Sequence, residues 1–214
     1  MSNSSKSHFD IYKKLEKLEI YCLPYEVYNS AYLTAQYLKE NDIDNLFVIG
    51  SSEFIHEIQS ISNIKIVQGK EAKNLVVGMD FSFDYEKIEI ALSILKKGGK
   101  FIVCNENNNF SIEEGKYLPG CGAMVGAIIY ASLEIPDFIV GKPNVYGLEK
   151  ISKDFNVTNK EMIVVGDSID SDIRMAVNYG CKSILINKHF KPISKTSLIF
   201  DSIVDMLKHV KGEI

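Results

Sequence analysis

A group of acidic residues follows an apolar run in the last third of the sequence. The run Glu161-Met-Ile-Val-Val-Gly-Asp167 places Asp167 directly after a glycine, and Asp170 and Asp172 follow as a helical pattern begins. Open α/β sheets bind ligands at the carboxyl ends of their strands, where Asp167 would lie. Carboxylates this close repel one another unless a cation compensates, and hard oxygen ligands of this kind suit Mg²⁺. Asp170 and Asp172 also fit a second interpretation, in which they only stabilise the start of a helix.

A lysine ends a second apolar run. In Ile139-Val-Gly-Lys142-Pro143 the lysine lies between a glycine and a proline, whose ring fixes its φ angle. A lysine in this position is a point charge that can bind a phosphate or neutralise a carboxylate cluster. Most lysines are merely solvated, but these neighbours favour a function for Lys142. We expect Lys142 and Asp167 to lie at the same rim of one parallel sheet.

Short apolar runs alternate with longer helical patterns along the chain, which is typical of βαβ units and a parallel sheet. One helix, 85–97, has Asp84 as its expected N-cap and stops at Gly98-Gly99. The predicted strands are 46–49, 64–67, 75–77, 101–104, 138–140, 162–165 and 183–186. The predicted helices are 11–18, 31–41, 52–61, 85–97, 122–133, 146–155, 171–179 and 202–210.

Composition excludes several classes of protein. The chain has 214 residues, of which 46% are hydrophobic and 24% charged, so it can build a globular core. No run of about 20 apolar residues could cross a bilayer, and the first residues lack a secretory signal, so we expect a cytoplasmic protein. The net charge of -4 without a basic block argues against nucleic acid as a partner. The four cysteines lie far apart and are expected to be reduced core residues: Cys22, Cys104, Cys121 and Cys181.

The chain contains no low-complexity linker, so any domain boundary must be a short crossing. Two candidates are the turn at 41–45 and the segment 134–137, where Pro136 prevents the preceding helix from continuing. They predict a discontinuous outer domain, 1–43 with 136–214, and an inserted domain, 44–135.

The lysine and the Gly-Asp-x-x-x-x-Asp pattern at these two strand ends resemble the third and fourth motifs of the haloacid dehalogenase-like phosphohydrolases. Further segments are similar to successive blocks of subfamily IIA, which holds the p-nitrophenyl-phosphatase-like and sugar-phosphate phosphatases, and the similarity spans nearly the whole chain. Those segments are 3–7, 12–18, 29–38, 76–80, 101–105, 119–123 and 141–143.

The resemblance implies an α/β fold, a Rossmann-like core with an inserted α/β cap. It also implies Mg²⁺-dependent hydrolysis of a small phosphomonoester through attack by an aspartate. In this family pattern Asp167 looks like the metal ligand and Asp172 like the acidic residue that orients metal-bound water. Lys142 looks like the lysine that steadies the transferring phosphoryl group. Ser2 and Asn3 stand where the phosphate-binding motif is expected.

The sequence departs from the family at the nucleophile. The family motif, an apolar strand ending in Asp-x-Asp-Gly, is expected upstream of Ser2, and no Asp-x-Asp-Gly occurs before residue 50. Asp10 precedes a helical pattern, whereas Asp42 and Asp44 border a turn. We therefore expect an incomplete core with an uncovered sheet edge, either N-terminally truncated or completed by an N-terminal fragment.

Two alternatives to an active phosphatase remain open. One is a catalytically dead phosphate-ligand-binding or scaffold protein of the same family, and the other is a decayed gene product. A small phosphorylated metabolite is the expected ligand, a homodimer through the cap is an expected assembly, and the loop 105–116 is expected to choose the substrate. A third pattern, Gly120-Cys-Gly-Ala-Met-Val-Gly126, superficially suits a dinucleotide site. It follows no clear strand, and no acidic residue ends a strand about twenty positions later.

Overall fold

The computed structural model describes residues 5–61, 64–112, 115–187 and 197–212. It contains two compact units, Met1–Gly141 and Lys142–Ile214. The strands are β1 Leu46–Ile49, β2 Asn74–Val77, β3 Phe101–Val103, β4 Asn109–Ser111, β5 Tyr117–Pro119, β6 Phe138–Ile139, β7 Ile163–Gly166, β8 Lys182–Ile186 and β9 Ser197–Phe200. The α-helices are α1 His8–Lys17, α2 Ser30–Glu40, α3 Ser52–Ile61, α4 Tyr85–Leu95, α5 Cys121–Ser132, α6 Tyr146–Phe155, α7 Arg174–Tyr179 and α8 Ile203–Lys211.

The N-terminal unit contains a four-stranded parallel sheet in the order β1-β2-β3-β6. Its first three strands are almost entirely apolar, and every residue of them except Asn74 is buried, as in parallel sheets covered on both faces. Side chains from these strands pack with α4 and α5 into the main apolar cluster. The segment predicted as strand 64–67 makes a single parallel bridge, between Leu46 and Ile66.

The C-terminal unit contains a second parallel sheet, in the order β7-β8-β9. Among the described residues β7 pairs only with β8, so it is an edge strand. The side chains of Ile163 and Val165 on this strand are 55% and 46% exposed. An uncovered edge of this kind is expected in a core sheet that lacks the nucleophile strand.

The observed units differ from the predicted domains 1–43 with 136–214, and 44–135. The reason is β6, which the prediction gave to the outer domain. In the structure β6 pairs in parallel with β3, through Ile102 with Phe138 and Val103 with Ile139. Backbone pairing between distant segments decides which sheet a short strand joins, and it leaves no local signal in the sequence.

Several local predictions are confirmed by the structure. Asp84 caps α4, since its Oδ1 accepts a hydrogen bond from the N–H of Lys87 at 3.0 Å. The pattern Gly120–Gly126 forms the start of α5 and follows the antiparallel hairpin of β4 and β5, so it lacks the parallel strand that a dinucleotide turn needs. No helix in the described part of the chain is long and apolar enough to cross a membrane.

Candidate functional site

The structure brings Lys142 and Asp172 into direct contact within the C-terminal unit. The ammonium Nζ of Lys142 donates a hydrogen bond to Oδ1 of Asp172, and the two side chains are 23% and 9% exposed. The other carboxylate oxygen, Oδ2, accepts the backbone N–H of Ser168 at 3.2 Å. An ion pair this well shielded from water is stronger than a surface pair, because both groups are held in place and weakly screened.

Gly166 makes this arrangement fit. A Cβ atom at Gly166 would lie 2.4 Å from three atoms of the Asp172 side chain. Only glycine therefore lets the carboxylate of Asp172 lie against the end of β7. Sequence reasoning singled out Asp172 but gave Ser168 no role and Gly166 none beyond ending the strand; the signal available was the glycine directly before Asp167.

Asp167 lies at the carboxyl end of β7, directly after Gly166, and it is exposed. The described residues give it no hydrogen bond or ion pair. Asp170 instead forms a 2.8 Å pair with Arg174, one helical turn further on, and its side chain is 85% exposed. Asp170 therefore fits the second interpretation, in which the residue only stabilises the start of a helix. Asp172, in contrast, is buried against a lysine.

The expectation that one parallel sheet carries Lys142 and Asp167 at its rim is wrong. β6, which precedes Lys142, pairs with β3, whereas β7, which precedes Asp167, pairs with β8. Lys142 is connected to this end of β7 through the side chain of Asp172 and not through sheet pairing. The buried ion pair therefore joins Lys142 to Asp172, and Asp167 has no part in it.

None of the three early aspartates lies at the carboxyl end of a strand. Asp10 belongs to the capping box of α1, where its Oδ2 accepts from the N–H of Ser7 at 3.0 Å and from its hydroxyl at 2.7 Å. Asp42 has a φ of 51° in the turn before β1, and Asp44 also precedes β1. Ser2 and Asn3 lie outside the described residues.

The described residues contain no group of three or more His, Cys, Asp or Glu side chains that could hold a metal ion. They do present the exposed carboxylate of Asp167, which has no partner among them, in the same segment as Asp172 of the Lys142–Asp172 pair. Mg²⁺ is commonly bound by one or two carboxylates, with water and substrate phosphate as its other ligands. A single oxygen donor of this type fits Mg²⁺ and does not fit a structural zinc site, which needs four nitrogen or sulfur ligands.

A separate open groove of about 720 Å³ lies in the N-terminal unit between α1 and α3. At its side the buried carboxylate of Glu57 accepts from His8, with 2.6 Å between Nδ1 and Oε1 and 3.3 Å from the backbone N–H to Oε2. Glu53 in the same groove pairs with Lys6 at 3.3 Å. Because Glu57 and Glu53 already have partners, their carboxylates are less available to a ligand than the carboxylate of Asp167 at the end of β7.

Comparison with known proteins points in the same direction as this geometry. A family model described as HAD-hydrolase-like matches residues 139–202, which include Lys142, Asp167 and Asp172. Human glycerol-3-phosphate phosphatase is 26% identical over 87% of this chain and 70% of its own length. The acid sugar phosphatase of Staphylococcus epidermidis is 29% identical over 86% of this chain and 70% of its own length.

Solved structures give a closer match in coverage. The p-nitrophenyl phosphatase of Archaeoglobus fulgidus superposes with a TM-score of 0.86 and 26% identity, over 97% of this chain and 83% of its own. The 4-nitrophenylphosphatase of Thermotoga maritima gives a TM-score of 0.87 and 26% identity, over 97% of this chain and 81% of its own. Each of these relatives is longer than the part that matches this chain.

Proposed function

Because the chain belongs to subfamily IIA of the haloacid dehalogenase-like hydrolases, we propose that it takes part in Mg²⁺-dependent hydrolysis of a small, sugar-phosphate-like phosphomonoester. The observation that carries this proposal is the buried Lys142–Asp172 pair at the end of β7, beside the exposed Asp167. The phosphatase names of the relatives and of the superposed structures support it.

Each residue of this group has a distinct proposed task. Lys142 supplies a positive charge that binds the phosphate and balances the charge that develops on the phosphoryl oxygens. Asp172 holds the lysine in place and, as the family pattern implies, orients a water molecule. Asp167 would hold Mg²⁺, which when bound supplies further positive charge for the phosphoryl group. Ser2 and Asn3 are proposed to contact the phosphate.

The nucleophile is proposed to come from outside residues 1–214. Asp10, Asp42 and Asp44 all lie away from the carboxyl ends of strands. The exposed edge of β7 supports this proposal, since a parallel strand paired there would end beside Asp167. The partner would be an N-terminal fragment that completes the core, and the matched length of the relatives leaves room for such a segment.

One alternative is a phosphate-binding or scaffold protein that does not turn over. The specific observation in its favour is the single free carboxylate at the end of β7, since a phosphatase of this kind needs a second one as nucleophile. The two proposals agree on phosphate binding and differ on phosphate release. A homodimer through the cap, 44–135, and a cytoplasmic location are two further proposals.

The decisive experiment measures phosphate release from p-nitrophenyl phosphate with Mg²⁺. Two samples are compared: the purified chain alone, and the chain with the segment of the Archaeoglobus phosphatase that precedes the matched region. We expect release in at least the second sample, abolished by EDTA and reduced at least about 100-fold by Lys142→Ala or Asp167→Asn. Lys153→Ala, an exposed lysine on α6, serves as the matched control and should leave the rate unchanged.

Absence of release from both samples, together with phosphate binding that depends on Lys142, would replace the phosphatase proposal by the binding protein. Absence of both phosphate release and phosphate binding would overturn both proposals.

Light scattering of the chain and of a variant with charged substitutions on the 44–135 surface tests the proposed homodimer.

A further inference from the structure

Residues 5–26 of the N-terminal unit, which comprise α1 and the loop after it, have almost no apolar attachment to the rest of that unit. Ile11 is the one buried residue in this segment. The next helix, α2, has six buried residues over a length similar to that of α1. Apolar burial is the main force that holds an element in place. The segment 5–26, here called the strap, must therefore be held mainly by polar contacts.

The first residues of the strap make such contacts with the starts of α2 and α3. The carbonyl oxygen of Ser5 accepts from the hydroxyl of Ser51 at 3.3 Å, and that of Lys6 accepts from the amide of Asn29 at 2.8 Å. Nζ of Lys6 also pairs with Glu53 at 3.3 Å. The two side chains of this pair are 52% and 40% exposed, so water screens it and its contribution is small.

Glu57 on α3 makes the strongest attachment. Its carboxylate accepts from Nδ1 of His8 at 2.6 Å and from the backbone N–H of His8 at 3.3 Å. That N–H lies in the first turn of α1, where it has no partner within the helix and where the helix dipole favours a carboxylate. Glu57 is only 2% exposed. Because a buried carboxylate costs free energy unless it is paired, closing the strap is favourable only while His8 compensates Glu57.

We propose that the strap opens as a unit while the sheet β1-β2-β3-β6 stays folded, and that the contact between His8 and Glu57 is its latch. Segments that bury little apolar surface open at a lower free energy than the whole domain. Opening also returns the carboxylate of Glu57 to water, which offsets part of the hydrogen bonding that is lost. Because α1 forms one wall of the groove beside Glu57, opening of the strap removes that groove. The inference does not depend on the proposed function.

Native-state hydrogen exchange of the full chain at low urea concentrations tests whether the strap opens separately. After correction for intrinsic rates, we expect the amides of α1 to exchange at least about 100-fold faster than those of β2 and β3. Their exchange should depend only weakly on urea, because local opening exposes little surface. Equal protection and equal urea dependence in α1, β2 and β3 would overturn the inference, since α1 would then open only when the whole unit unfolds.

The variant His8→Ala tests the latch, because it leaves the carboxylate of Glu57 without the imidazole. We expect exchange of the α1 amides to accelerate at least about tenfold, with exchange in β2 and β3 unchanged. The matched control is Glu16→Gln, which removes the exposed 3.1 Å pair with Lys13 inside α1 and should change exchange by no more than about twofold. Acceleration spread equally over α1, β2 and β3 would overturn the latch.

A thermodynamic cycle separates the latch from a general loss of helix stability. In the Glu57→Gln background the buried group carries no charge, so His8→Ala should accelerate α1 exchange by no more than about threefold. Equal acceleration in the two backgrounds, or none in the parent chain, would overturn the role of the His8–Glu57 contact. If His8→Ala folds poorly, Glu57→Gln compared with the parent chain gives the test, and acceleration confined to α1 is again the expected result.

Discussion

The two parallel sheets of this molecule differ in how completely they are covered. In the N-terminal unit every residue of β1 and β3 is buried, and α4 and α5 pack on the sheet. In the C-terminal unit Val165, Ile184 and Leu198 lie side by side across the three strands. Ile184 in the middle is 9% exposed, but its neighbours are 46% and 55% exposed. The sheet of the N-terminal unit is therefore covered by helices, whereas the sheet of the C-terminal unit has exposed apolar side chains on its two outer strands.

The last helix extends the contrast. α8 exposes four aliphatic side chains at helical spacing: Ile203, Val204, Leu207 and Val210. A contiguous apolar surface of this kind is unusual on a protein that acts alone. The unit that carries the proposed catalytic group thus exposes apolar side chains both on its sheet and on its last helix. This supports a function that depends on a further segment of chain.

The largest expected effect on stability comes from Phe54 in the N-terminal unit. Its ring is fully buried and fills the space below two glycines: a Cβ atom would lie 2.4 Å from it at Gly50 and 2.6 Å from it at Gly78. Phe54→Ala leaves a cavity there and should lower the free energy of unfolding by about 3–5 kcal/mol. The measurement is urea denaturation, with hydrogen exchange assigning the loss to the N-terminal unit. The control Val165→Ala, in the C-terminal unit, should lower the free energy of unfolding by less than about 1 kcal/mol. Equal losses for the two variants would contradict the difference in coverage between the sheets.

A smaller effect on stability is expected at Gly166, where the C-terminal unit packs tightly against Asp172. Gly166→Ala forces the new methyl group against Asp172, and overpacking of this kind costs about 1–3 kcal/mol. It should also release Lys142 from its carboxylate partner and weaken phosphate binding. The matched control is Gly126→Ala on α5, where a Cβ atom meets nothing within 4 Å. That variant should be neutral or more stable by up to about 1 kcal/mol, as followed by thermal unfolding.

The third prediction concerns the turn between β2 and α4. Asp80 is 4% exposed, and its carboxylate accepts from Lys87 Nζ at 2.8 Å and from the N–H and hydroxyl of Ser82, each at 2.8 Å. Burial alone would raise the pKa of Asp80, but these hydrogen bonds outweigh it and hold the pKa below its ordinary value. A depressed carboxyl pKa adds stability above the unfolded value, and that stability is lost as the pH falls through the folded one.

Asp80→Asn should therefore cost about 1 kcal/mol at pH 7. The difference in stability from the parent chain should shrink below about pH 4, where the carboxyl group of the unfolded chain becomes protonated before that of the folded chain. Urea midpoints between pH 3 and 8 give this profile. Asp84→Asn is the matched control, because asparagine caps a helix as well as aspartate does. A cost at Asp80 that does not change with pH would refute the role of its charge.

Local structure could be predicted from the sequence where the chain itself contains the cause. The predictions for β1, α3 and α6 match the observed bounds Leu46–Ile49, Ser52–Ile61 and Tyr146–Phe155. In each case an apolar run or a helical apolar spacing determines the element. Asp172 and Lys142 could likewise be selected from their position after apolar runs. The contact between them is visible only in the structure.

The features that the sequence did not predict depend mostly on distant segments. β6 joins the sheet of β3, and β9 pairs with β8, because of hydrogen bonds between segments far apart in the sequence. The strands β4 and β5 have only three residues each, which is too short for an alternating pattern to stand out. The buried hydrogen bond from the amide of Asn105 to the hydroxyl of Ser30 joins residues 75 positions apart. Polar residues that become buried by such contacts look like loop residues in the sequence.

The smallest expected effect tests the open edge of β7 directly. Val165→Lys places a charge on an exposed position of the edge strand, so the free energy of unfolding should change by no more than about 0.5 kcal/mol. A lysine at an edge discourages the pairing of another strand. We therefore expect lower binding of a hydrophobic dye, and loss of any activation by the added Archaeoglobus segment. Lys182→Ala, on the neighbouring strand β8, is the control and should retain that activation. If Val165→Lys is activated as well as the parent chain, the segment does not pair with β7, and the exposed edge has no part in completing the site.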